Sequence, residues 1–109
     1  MLAFITTVGV GILVSVLAII NMTGNISTIH GYHRQRVTEE NRKPFGRLVG
    51  LGTLIIGIAI IVFGVLFFIF EQTKIEFLVI IGTVELIAGI VVGTIISFYA
   101  MIKYNKGIF

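Results

Sequence analysis

Leu48 to Phe70 reads LVGLGTLIIGIAIIVFGVLFFIF, 23 residues without a single charge. As a helix it is roughly 35 Å long, enough to cross the hydrocarbon core of a bilayer. Two further stretches share this character. Leu2 to Ile20 is an unbroken apolar run of about 28 Å, and the uncharged region around it extends to Ile29. Phe77 to Ile102 holds one charge, Glu85, over about 39 Å. The fold expected is all-α, an integral membrane three-helix bundle in a single domain. Its spans lie at about 2–29, 45–70 and 77–102, with a loop at 30–44.

Composition agrees. Of 109 residues, 57% are hydrophobic and 12% charged, whereas a soluble domain carries about 25% charge. Soluble, disordered and nucleic-acid-binding classes are thereby excluded. Cysteine is absent, which removes disulfides, thiolate metal sites and Cys nucleophiles. The first span lacks a basic leader region and a small-x-small cleavage site, so it reads as a retained helix rather than a signal peptide.

The basic residues orient the chain. Arg34, Arg36, Arg42 and Lys43 lie between spans one and two, with Arg47 at the edge of span two, and Lys103 and Lys106 follow span three. The short turn between spans two and three holds only Lys74, beside Glu71 and Glu76. The positive-inside rule puts the N-terminus outside and the C-terminus inside, in a multi-pass protein of the cytoplasmic (plasma) membrane. Tyr32, Tyr99 and Tyr104 fall near the inner interface, where amphipathic rings are favoured. Asn21 and Asn25 open glycosylation sequons, which this topology places on the wrong side or too close to the membrane.

Lipid is as apolar as Leu, so close backbone approach at small residues must hold the helices together. Gly50, Gly57 and Gly64 recur every seven residues, with Gly46 and Thr53 on the same face. Gly82, Gly89, Gly93 and Ala100 share a face of span three, with Ser97 at its edge. Ala3, Thr7, Gly11, Ser15 and Ala18 form a looser row in span one. These rows either close a three-helix monomer or leave a surface for a second copy or a larger membrane partner. Beyond Ile20, a polar stripe of Asn21, Asn25 and Thr28 opposes Met22, Ile26 and Ile29. That pattern predicts a first helix running to about His30 and ended by Gly31.

Glu85 is the sharpest single feature. A carboxylate at that depth costs about 2–3 kcal/mol on insertion scales, and the surrounding aliphatic residues outweigh it. It sits about 60° from Gly82 on the helical wheel, and Thr6 or Thr7 lies at a depth suited to a hydrogen bond with it. Three readings stay open: a structural interhelical bond, a proton or cation site, and a contact with a partner helix. His30 and His33 form a His-x-x-His spacing, but Gly31 between them argues against a shared helix face and a metal site. Pro44 suits the first turn of span two, with Asn41 as N-cap. No nucleophile–base pair, paired carboxylate or phosphate-cradling loop is present, so no enzyme and no cofactor is expected. The expected partners are the bilayer and another membrane protein or a second copy, not nucleic acid.

Ile29-His30-Gly31-Tyr32, the basic residues after it, Thr38-Glu39-Glu40-Asn41, Phe45 and Arg47-x-x-Gly50 together resemble a known pattern. It is the Gly-Tyr segment after the first span in a family of small, three-span, uncharacterised bacterial membrane proteins. A similar segment occurs in SdpI-type immunity proteins, which protect against a secreted peptide toxin. Here His33-Arg34 follow the Gly-Tyr pair, where those families carry a small polar or basic residue and then Thr. The resemblance makes Gly31, Tyr32 and Arg34 the motif positions. It implies an immunity role or an accessory subunit of a toxin or transport system. Small multidrug transporters share the length and a lone membrane Glu, but have four spans with that Glu in the first. Three-span holins share the topology but end in a strongly charged tail.

Overall fold

The computed structural model describes residues 2–23, 25 and 37–106. It contains three long helices: α1 (Leu2–Met22), α2 (Arg42–Thr73) and α3 (Glu76–Tyr104). A 3-10 turn, Glu39–Asn41, runs directly into α2. Each helix is long and apolar enough to cross a membrane. The molecule is a rod of 51 × 20 × 17 Å.

Why α2 stands in the middle follows from two registers in its sequence. Gly50, Gly57 and Gly64 face α1. A Cβ on Gly50 would lie 2.6 Å from the Ala18 carbonyl oxygen, and one on Gly57 would lie 3.0 Å from Ser15 N. A Cβ on Gly64 would meet Thr7 at 3.1 Å. Gly52, Ala59 and Leu66, also seven apart, face α3. Ala59 Cβ is 2.5 Å from where a Gly89 Cβ would be, and Leu66 Cβ is 3.6 Å from that of Gly82. The second register is displaced from the first by two residues, about 200° around the helix. α1 and α3 therefore pack on nearly opposite faces of α2. The expected small-residue rows meet α2 along two separate seams, giving a three-helix layer with α2 shared.

Ser15 turns its hydroxyl onto its own helix, donating to the Gly11 carbonyl at 2.8 Å. That satisfies the hydroxyl and leaves a small, closed surface against Gly57.

The helix ends show two departures from expectation. α1 stops at Met22 rather than near His30. Thr23 N–H is shared between the Ile19 and Ile20 carbonyls, both at 3.2 Å, and its hydroxyl donates to Ile20 O at 2.6 Å. These bonds close the final turn, and Asn25 is not helical. Asn41 takes the N-cap position of α2 but makes no side-chain capping bond. It belongs to the 3-10 turn, where its N–H bonds Thr38 O at 3.1 Å, so the backbone itself leads into the helix. Pro44 does lie in the first turn of α2, where a missing N–H is harmless.

The α2–α3 connection is two residues long. Lys74 adopts a left-handed conformation (φ 58°, ψ 25°), and its N–H closes α2 on the Phe70 carbonyl at 2.6 Å. At the opposite end of the rod, Phe45, Val49, Ala100 and Met101 form a buried cluster, with Val37, Leu48 and Tyr104 packed on it. Asn21 and Asn105 are buried as well.

Candidate functional site

Glu85 stands nine residues into α3, about 14 Å from its start. One turn before it, Gly82 packs on Phe63 and Leu66; one turn after it, Gly89 packs on Ala59. Those glycines define the line of contact with α2. Glu85 lies about 60° from Gly82 and 40° from Gly89, so it occupies the flank of the α2–α3 seam. One carboxyl oxygen, Oε2, is buried and has no hydrogen-bond partner among the described residues. The side chain as a whole is half-buried.

The hydrogen bond expected from Thr6 or Thr7 is not made to that oxygen. Thr7 places its side chain against Gly64 on the α1–α2 seam, and Thr6 is exposed. Both belong to α1, which packs on the other face of α2. Similar depth in the membrane does not bring the groups together when a helix stands between them.

The flank beside Glu85 continues through Ile81, Ala88 and Val92, all exposed, within about 60° of Glu85 on the wheel. This strip combines an acid, a small residue and two β-branched residues. A protonated carboxyl can donate one hydrogen bond and accept others, and a carboxylate can only accept. The strip can therefore bind a polar group presented by another helix, or exchange a proton. Among the described residues no group of three or more His, Asp or Glu side chains could hold a metal ion.

The remaining expected residues divide by position. Gly50, Gly57, Gly64, Gly82, Gly89 and Gly93 all lie on the two seams. Asn21 is buried at the end of α1, and Asn25 is exposed. Thr28 and the motif His30, Gly31, Tyr32, His33 and Arg34 lie outside the described residues. Sequence pattern does not single out Gly52, Ala59 or Glu71 as residues of the helix contacts. Glu71 is the next step of the heptad after Gly64, and its Oε1 is also buried with no partner among the described residues. Extending the heptad by one repeat would have found it.

No protein-family model, no curated protein and no solved structure matches the chain. What is established is the class: a small all-α protein with three helices able to span a membrane.

Proposed function

We propose that this protein is a non-enzymatic accessory subunit of a larger membrane system, of the immunity or transport-accessory kind. In this reading it acts through lateral helix contact on the Ile81–Glu85–Ala88–Val92 strip. The observation that carries the proposal is the buried, unpartnered Oε2 of Glu85. An unsatisfied polar atom at membrane depth costs on the order of 2 kcal/mol or more. No described residue supplies a donor; rotation of the half-buried side chain toward the exposed flank would let a donor from a partner helix remove that cost.

A second reading is favoured by the same atom. Two or more copies could face their Glu85 side chains and share a proton or a cation, as a small coupled transporter would require. A photoreactive residue at Val92, expressed in the membranes of the source cell, separates the two. An adduct with a different membrane protein, lost in Glu85→Leu, supports the accessory role. A self-adduct of twice the mass, lost in the same variant, supports the oligomeric transporter. Adducts insensitive to Glu85→Leu, or none, overturn both.

A further inference from the structure

At the hairpin end of the rod a groove of about 310 Å³ is lined by Phe67, Phe70, Glu76, Val79 and Ile80. It lies on the opposite flank of the α2–α3 seam from Glu85. Its volume is at the lower end of the range for ligand pockets, about 300–1,000 Å³. Its walls are apolar, and a single carboxyl, Glu76, stands at the first turn of α3.

The α2 wall is a ladder of rings. Phe63 stacks on Phe67 with centroids 6.1 Å apart, and Phe67 meets Phe70 at 5.8 Å. Lys74 Nζ sits 5.8 Å above the Phe70 ring. The cation is thus held at the top of an aromatic strip that descends into the hydrocarbon. The left-handed turn at Lys74 places this ammonium at the same end of the hairpin as Glu76. The α3 wall includes Ile80, which is 59% exposed. Val79 and Ile80 belong to a helix able to span a membrane, so in a bilayer this apolar wall would meet acyl chains.

We propose that this groove binds a zwitterionic phospholipid carrying a free ammonium group, from the leaflet on the hairpin side. Glu76 lines the groove, and Lys74, which is outside the lining, reaches it through the Phe70 ring; the pair matches both parts of such a headgroup, with Lys74 taking the phosphate and Glu76 the ammonium. An acyl chain lies along Phe67, Val79 and Ile80. A cation without a phosphate fits less well, because Lys74 already occupies the face of Phe70. An anionic lipid gains Lys74 but meets Glu76.

Native mass spectrometry of the full chain in detergent tests this with dioleoyl phosphatidylethanolamine, phosphatidylcholine and phosphatidylglycerol. The expected result is one retained phosphatidylethanolamine per chain, at least fivefold over the other two. Trimethylation removes the N–H donors that Glu76 needs. Glu76→Gln should abolish the preference over phosphatidylglycerol. Lys74→Asn, which tolerates the left-handed turn, should weaken retention of all three at least fivefold. The soluble headgroup glycerophosphoethanolamine should not displace the lipid. Equal retention of the three lipids, an unchanged preference in Glu76→Gln, or displacement by the soluble headgroup would overturn the proposal. A disulfide between cysteines at Leu66 and Gly82, tested in each variant, confirms that the hairpin is intact.

Discussion

Gly52 and Gly93 meet backbone to backbone across the α2–α3 seam. The position of a Cβ on each is taken by the carbonyl oxygen of the other. The second hydrogen of each glycine points at that oxygen, a Cα–H···O contact worth roughly 0.5–1 kcal/mol. No rotamer change can make room, because the obstruction is main chain. Gly93→Val should therefore destabilise the protein by about 2–3 kcal/mol through overpacking. The readout is thermal melting in detergent. A companion measurement uses cysteines at Leu66 and Gly82, whose Cβ separation of 3.6 Å suits a disulfide. They should oxidise readily in the parent chain and much more slowly in the Gly93→Val background. Equal oxidation would mean the seam is not where the structure puts it.

Ala59 and Gly89 divide one methyl-sized space between them. Ala59 carries the methyl, and a Cβ on Gly89 would come within 2.5 Å of it. Gly89→Ala should destabilise the protein by about 1–3 kcal/mol. Adding Ala59→Gly should recover most of that loss, since the methyl has only changed helices. A double-mutant cycle should yield a coupling of at least about 1 kcal/mol. Additive effects would show that the two residues do not touch.

How much of this was legible beforehand depends on the residue. The three spans follow from length and charge alone, because a bilayer imposes both. The Gly50–Gly57–Gly64 heptad is visible because glycine stands out among aliphatic residues. Its counterpart on the other face of α2 is not: Gly52 reads as an isolated glycine, and Ala59 and Leu66 blend into the apolar background. Missing that second register hid the central position of α2. It also made a Glu85–Thr7 bond look available, since depth can be read from sequence while azimuth across a shared helix cannot. The end of α1 is obscured for a different reason. The stripe through Asn21 and Asn25 keeps helical spacing and masks the stop signal of Thr23-Gly24 in the sequence.

The flank position of Glu85 gives a prediction about stability that is independent of any partner. Its carboxyl makes no hydrogen bond through Oε2 and does not stand in the line of glycine contacts. Glu85→Leu should leave the fold intact and ease membrane insertion by about 3 kcal/mol on the biological scale. Protease protection of glycosylation-tagged α3 segments in a translocation assay measures the second quantity, and melting in detergent the first. A loss of stability above about 1 kcal/mol would instead assign Glu85 a role in holding α3 to α2.

Lys74 adopts φ 58°, where a residue with a Cβ is strained by roughly 1–2 kcal/mol. Glycine is the usual occupant of this helix-ending position. Lys74→Gly should raise stability by about 1 kcal/mol in detergent melts, while removing the cation held over Phe70. A drop in stability would show that the Lys74–Phe70 contact outweighs the backbone strain.

The charge asymmetry around the helices carries the last prediction. Lys74 is the one basic residue at the hairpin end, whereas Arg42, Lys43, Arg47, Lys103 and Lys106 sit at the other ends of α2 and α3. Lys and Arg resist translocation, so the hairpin should face outward and both flanking ends inward. The absence of native cysteine makes this directly measurable with single substitutions at exposed sites. Thr73→Cys should react with a membrane-impermeant maleimide in intact cells, and Lys106→Cys only after lysis. Adding three lysines after Thr73 while replacing Arg42, Lys43 and Arg47 with Gln should reverse the pattern or scramble it. If the two cysteines label in the opposite order in the parent chain, charge does not set the orientation of this protein.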